Sequence, residues 1–182
     1  KLTLQVAALN SHPEIDVLFT DFSNIHEHDG KVHHTFVDYQ HALQKTVREN
    51  CAGEVVLIQD GFPASIATDN YIALDSVMLR HEVYSRAGGF NETLLNSEDF
   101  EFWWRLALDE HGFGYIEREL LTRYKAAGSL SSNRLPGLKN HLRALDLCVE
   151  QAMKAGRPEY AKLLEVQYRN TWQLLMAHYA KQ

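Results

Sequence analysis

A chain of 182 residues, 45% hydrophobic with a net charge of −6, can bury a sizeable core, since a domain near ~150 residues hides about 68–70% of its chain surface. Two cysteines, Cys51 and Cys148, exclude a disulfide scaffold and show no metal-ligand spacing. No signal peptide opens the chain and no apolar run nears the ~20 residues that span a bilayer, so a cytoplasmic protein, at most peripheral to a membrane, is expected.

The charge is unevenly placed. Residues 1–133 hold ten Lys and Arg against twenty Asp and Glu, whereas residues 134–182 hold eight against four. An acidic body disfavours nonspecific binding to nucleic acid, and the basic residues of the tail are spread along helices rather than clustered to track phosphates.

In chain order, residues 1–11 read as a short amphipathic helix and Val17 to Phe22 as a strand. His28-Asp29-Gly30 is a turn into a second extended piece, residues 32–37. Residues 40–49 read as a helix. Val55 to Ile58 fit either a strand or a helical turn, and Asp60-Gly61-Phe62-Pro63 interrupts them. Residues 74–79 read as a strand, 81–87 as a short helix and 114–121 as another strand, an α/β pattern.

The last third is helical. Leu138, Leu142, Leu145, Val149 and Met153 form one stripe, Gly156 and Pro158 mark a turn, and Leu164, Tyr168, Trp172, Leu175 and Tyr179 form a second. A helical hairpin over 134–182, appended to a domain over 1–133, is the expected organisation.

Between the α/β elements lies the segment richest in chemistry, S-E-D-F-E-F-W-W-R-L-A-L-D-E-H-G from Ser97 to Gly112. Ser97 suits an N-cap, Glu98 and Asp99 suit the positive end of a helix dipole, and Gly112 a stop, which predicts a helix over residues 98–110. At 100° per residue Phe100, Trp103, Trp104 and Ala107 share an apolar face, while Glu98, Glu101 and Arg105 group on the opposite, solvated one. Asp99 falls on the flank, where a carboxylate between apolar wall and water can accept a proton from a bound hydroxyl. Structural readings stand beside this one. Asp99 also serves as an N-terminal helix acid, Trp103 as core, the glycines as a helix end, and Arg105 as partner to Glu101 four residues earlier.

Two further groups of side chains carry no expected site. His26, His28, His33 and His34 surround the Asp29-Gly30 turn, yet their spacing matches no structural zinc pattern, and no metal site is expected there. Ser129, Ser131 and Ser132 lack an accompanying His/Asp arrangement, so a serine hydrolase is not expected.

Gly88-Gly89-Phe90, Glu98-Asp99 and Trp103-Trp104-Arg105-Leu106, in that order and spacing, resemble the second half of a family 2 inverting glycosyltransferase domain of the GT-A type. Ser76-Val77-Met78-Leu79-Arg80 resembles the strand before the glycine pair. Tyr124-Lys125 and Gly128-Ser129-Leu130-Ser131 resemble the end of the family's shared part, and Lys1-Leu2 with Gln5, Asp21 and Asp29-Gly30 resemble its middle. The resemblance runs from Lys1 to about Ser131. It implies a partial GT-A fold lacking the N-terminal nucleotide-binding half, followed by the helical extension.

The resemblance also implies roles. Asp99 would be the general base for transfer of a sugar from a nucleotide-sugar donor to an acceptor hydroxyl, on a saccharide or a lipid-linked acceptor, with inversion. Glu98, Gly88, Gly89, Arg80, Trp103 and Lys125 would lie on the substrate side. The Asp-x-Asp metal ligands of the family are expected upstream of Lys1, and Ala127 stands where many relatives have a histidine. Mg²⁺ or Mn²⁺ is therefore expected only in the intact enzyme, with none bound by this chain alone. The start at Lys1 suits a truncated product, expected to be inactive in isolation and to self-associate, with Val17 to Phe22 as the uncovered strand and the hairpin carrying Tyr168, Trp172 and Tyr179 as its cover, within one chain or by exchange between two. The competing expectation is a noncatalytic binding or assembly module derived from such a transferase.

Overall fold

The computed structural model describes residues 1–26, 30, 32–34, 42–43, 45–125 and 134–180. Its spine is a pair of parallel strands, β1 (Val17–His26) and β6 (Phe113–Lys125), aligned from Val17 beside Phe113 to His26 beside Lys125. Parallel neighbours need a crossover, and the chain between them supplies the helices. β2 (Val32–His34) and the short β5 (Met78–Leu79) pair antiparallel to β1. On the far side β4 (Val55–Asp60) runs antiparallel to β6, and β3 (Val47–Asn50) antiparallel to β4. The order is β2-β1-β6-β4-β3, a mixed sheet.

Period-two alternation sends side chains to both faces of this sheet. Val17, Phe19, Val56, Ile58, Phe113 and Tyr115 enter the larger core, while Leu18, Val55 and Ile116 enter a smaller one with Ala8 and Leu9 of α1 (Leu2–Ser11). The larger core is closed by α4 (Glu98–Leu108), whose Phe100, Phe102, Trp103, Trp104 and Leu106 are fully buried. The shorter α2 (Phe62–Ile66) and α3 (His81–Arg86) flank it. An α/β fold with helices on both faces is thus present.

The C-terminal helices add a further layer. α5 (Arg134–Lys154) packs on α4, and α7 (Glu165–Tyr179) packs on α5, with α6 (Pro158–Leu163) between them in sequence. Leu142, Leu145, Cys148 and Leu175 join the same core as the sheet, so the extension shares the interior of the α/β part. Trp104 Nε1 donates to the Cys148 carbonyl at 3.0 Å, which ties the two layers. No described helix is long and apolar enough to cross a membrane.

Several expectations are corrected. Of the helix expected over residues 40–49, only Ala42 and Leu43 are helical among the described residues, and Val47 to Asn50 form β3, because pairing with β4 overrides local propensity. Residues 74–79 divide into a 3₁₀ turn and β5, since Ser76 donates its N–H and its hydroxyl to the Ala73 carbonyl. α4 stops at Leu108, where Glu110 turns to a φ of 59° and His111 donates to the Leu106 carbonyl, so Gly112 is not its stop. Val17 to Phe22 was expected to be an uncovered strand sealed by the hairpin. It is paired with β6 along its length and at Val17 and Leu18 with β5 on the other side, and the hairpin packs on α4 instead.

The stripe expected on the last helix is also displaced. Trp172 and Tyr179 remain about half exposed, and the inward face of α7 carries Gln167, Thr171 and Leu175. Gln167 turns inward because its amide donates to the carbonyls of Ile66 and Ala67 at the end of α2, satisfying groups that a helix terminus leaves without intrahelical partners. The expected turn at His28-Asp29, the extended residues 35–37, Ala127 and the segment Gly128 to Ser132 lie outside the described residues.

Candidate functional site

Asp99 sits in the first turn of α4. At its other end α4 leads through a four-residue turn into β6, and the neighbour of Asn70, Tyr71, packs on Phe19 of β1 at 5.9 Å. Asp99 Oδ1 accepts the N–H of Phe100 at 2.7 Å and the Asn70 side-chain amide at 3.4 Å. Burial raises the affinity of this carboxyl for a proton, and Glu98 adds to it, against opposing hydrogen bonds from the N–H of Phe100, the Asn70 amide and its own backbone N–H. Asn70 Oδ1 is buried without a hydrogen-bond partner among the described residues. An unmet acceptor beside a proton-seeking carboxylate suits a hydroxyl ligand.

Ser97 does not cap α4 as expected. It has a φ of 61° and makes no side-chain capping bond; its hydroxyl instead meets His141 Nδ1 at 3.1 Å. Glu98 beside it is partly exposed.

The other residues that resemblance places near substrate are engaged by the fold. Gly88 and Gly89, with φ of 77° and 71°, end α3, and Gly89 donates to the Tyr84 carbonyl at 3.2 Å. A Cβ on Gly89 would lie 3.0 Å from the Tyr84 hydroxyl, whereas one on Gly88 would meet open space. Arg105 donates to the carbonyls of Ala87 and Gly89 while binding Glu101 Oε1 at 2.8 Å. Trp103 is fully enclosed, edge-on to Phe90, and has no surface to offer a ligand.

Arg80 lies at the start of β1, where its N–H donates to the Asp16 carbonyl. Its guanidinium donates to Leu9 at 2.7 Å, Ile15 at 2.9 Å and His12 at 3.2 Å, all backbone carbonyls. It therefore fastens the end of α1. Lys125 is the last residue of β6, at the opposite end of the spine. The structure brings Glu98, Asp99 and Asn70 together and leaves Arg80 and Trp103 elsewhere.

Glu101 is the largest departure from expectation. Placed by helical periodicity on the solvated face, it is 1% exposed, and besides Arg105 it accepts the Gln151 side-chain amide from α5. The i,i+4 spacing signalled the pair; its burial comes from α5, which the local pattern does not include.

At the other end of α4 a cavity of about 260 Å³ is lined by Phe62, Phe113, Tyr160, Glu110 and His111. Among the described residues no three His, Cys, Asp or Glu side chains gather in one place. No family model, no curated protein and no solved structure matches the chain.

Proposed function

We propose that this chain is the acceptor-side part of an inverting glycosyltransferase of the GT-A type, with Asp99 as its general base. The observation that carries the reading is the Asp99 carboxyl itself, held at the edge of the core where burial raises its proton affinity. Asn70, with its unmet Oδ1, accepts from a second hydroxyl of the acceptor, since the attacking hydroxyl gives its one proton to Asp99. In this reading the hydroxyl proton passes to Asp99 as the oxygen attacks the anomeric carbon of a nucleotide-sugar. The bond to the diphosphate breaks on the opposite face, and the configuration inverts. Glu98 orients the acceptor or its loop.

The test is transfer by the full-length protein from a panel of nucleotide-sugars, with the anomeric configuration of the product read by NMR. Inversion that is lost in Asp99→Asn, with nucleotide-sugar binding kept, supports the reading; retention of configuration or undiminished turnover overturns it.

A second reading, a noncatalytic assembly module, is favoured by one observation. Arg80, Arg105, Gly89 and Trp103 are all committed to holding the fold. The two readings separate on the coding sequence upstream of Lys1: an in-frame Asp-x-Asp segment preceded by strand-helix units supports the enzyme, and its absence supports the module.

A further inference from the structure

Ser97 enters α4 in the left-handed region, which few residues other than glycine adopt. Its Oγ lies 3.1 Å from His141 Nδ1 on α5, and His141 Nε2 lies 3.0 Å from Gln167 Oε1 on α7. The direction of both bonds follows from the far end. Gln167 Nε2 donates to the carbonyls of Ile66 and Ala67 at 3.0 and 2.9 Å, which turns its amide oxygen toward the imidazole. That oxygen only accepts, so His141 carries its proton on Nε2. Nδ1 is then bare, and its lone pair faces the Ser97 hydroxyl. Asn96 Oδ1, at 3.5 Å, is the weaker acceptor for that hydroxyl.

Burial lowers the affinity of the imidazole for a second proton, which keeps it neutral near pH 7. A hydroxyl, an imidazole lone pair directed at it and an amide oxygen that fixes the imidazole correspond to nucleophile, base and orienting group. Glu98, next along the chain, opens α4, and its N–H has no carbonyl to bond within the helix. It is a backbone donor of the kind that stabilises charge on an attacked carbonyl oxygen.

We propose that Ser97, His141 and Gln167 form an acyl-transfer site, with Ser97 as nucleophile, His141 as base and Gln167 as a positioning residue. The site is independent of the transferase reading. Ser97 Oγ attacks the carbonyl carbon of an ester as its proton moves to His141 Nδ1. The ester C–O bond then breaks, and the departing alcohol takes that proton. Water attacks the acyl-serine, gives a proton to His141, and releases the acid as the proton returns to Ser97. The carboxylates of Glu98 and Asp99 stand next along the chain and repel anionic acyl groups, so the substrate class is a small neutral or cationic ester.

The experiment is fluorophosphonate labelling of the whole chain with the modified residue mapped by mass spectrometry, together with hydrolysis of p-nitrophenyl acetate. Label on Ser97 is expected. Ser97→Ala should take no label while keeping its thermal midpoint, and His141→Gln should slow labelling by about 10²–10⁴-fold. A long-range ¹H–¹⁵N spectrum of the unmodified protein should show His141 protonated on Nε2, the tautomer that leaves Nδ1 free to take the Ser97 proton, while the label on Ser97 and its slowing in His141→Gln are what a merely structural tie between helices would not produce. Absence of label on Ser97 in protein that melts cooperatively, an undiminished rate in His141→Gln, or an Nδ1-protonated His141 would each overturn the proposal.

Discussion

Arg105 binds Glu101 one turn back along α4, at 2.8 Å, and with the same guanidinium holds the carbonyls of Ala87 and Gly89. The pair thus joins the glycine turn to the helix that carries Asp99. With Glu101 1% exposed, removal of Arg105 leaves a buried carboxylate without its counter-charge, and removal of Glu101 takes the anchor from a guanidinium that is itself 22% exposed. Arg105→Ala should cost about 3–5 kcal/mol, and Glu101→Ala less. In a chain of this size the loss in Arg105→Ala lowers the melting temperature by roughly 6–20 °C, checked by calorimetry. A change below 2 °C in both variants would show that the pair is not an anchor.

The second expectation concerns Asp99 in catalysis. An amide keeps the shape of the carboxylate but cannot accept the proton, so Asp99→Asn in the full-length protein should lose about 10²–10⁴-fold in kcat with KM for the donor little changed. In the unsubstituted protein the acid limb of the kcat profile should fall above the ordinary aspartate range, because burial raises the carboxyl.

Stability gives an independent measure of the same group. Asp99 binds its proton more tightly folded than unfolded, so its ionisation opposes folding. That cost is fully present above the folded-state value, and it is relieved as pH falls through that value toward the unfolded one. Asp99→Asn should therefore be at least as stable as the parent at pH 7, with the advantage shrinking as the pH is lowered. Parallel denaturant titrations at several pH values check this; an advantage that grows on acidification contradicts the assignment.

Arg80 separates a structural from a substrate role. Because it holds three carbonyls at the end of α1 and the start of β1, Arg80→Ala should destabilise by about 1.5–3 kcal/mol and speed amide exchange in α1. Affinity for a nucleotide-sugar should be unchanged in the full-length protein. A selective loss of that affinity, with α1 exchange unaltered, would place Arg80 on the substrate side.

The helices and the spine of the fold were legible where one periodicity dominated. Phe100, Trp103 and Trp104 announced the inward face of α4, and Val17 to Phe22 announced β1. What local pattern could not carry was contact with distant elements. Glu101 is buried by Gln151 from α5, fifty residues on, and Gln167 is drawn inward by carbonyls a hundred residues before it. The same limit applies to Val47–Asn50, whose strand conformation depends on β4. At the site, Asp99 at the flank of the apolar stripe followed from helix geometry. Asn70 and His141, which meet Asp99 and Ser97 from elsewhere in the chain, did not.

Gly112 links the turn after α4 to the turn before β1. Its carbonyl accepts the N–H groups of Asp16 and Val17 at 2.9 and 3.0 Å, its own N–H reaches Asp16 Oδ2 at 3.1 Å, and any Cβ there would lie 1.9 Å from the Glu14 carbonyl oxygen. Both central strands therefore start from one shared datum, and their alignment is measured from that corner. Farther along, between Thr20 and Phe22, β6 accommodates residues with no counterpart in β1 without disturbing the first four pairs. Length changes are thus absorbed downstream of the datum. A single residue inserted between Gly112 and Phe113 would have no such outlet: it would exchange the two faces of β6, carrying Phe113 and Tyr115 out of the larger core and Gly114 and Ile116 into it.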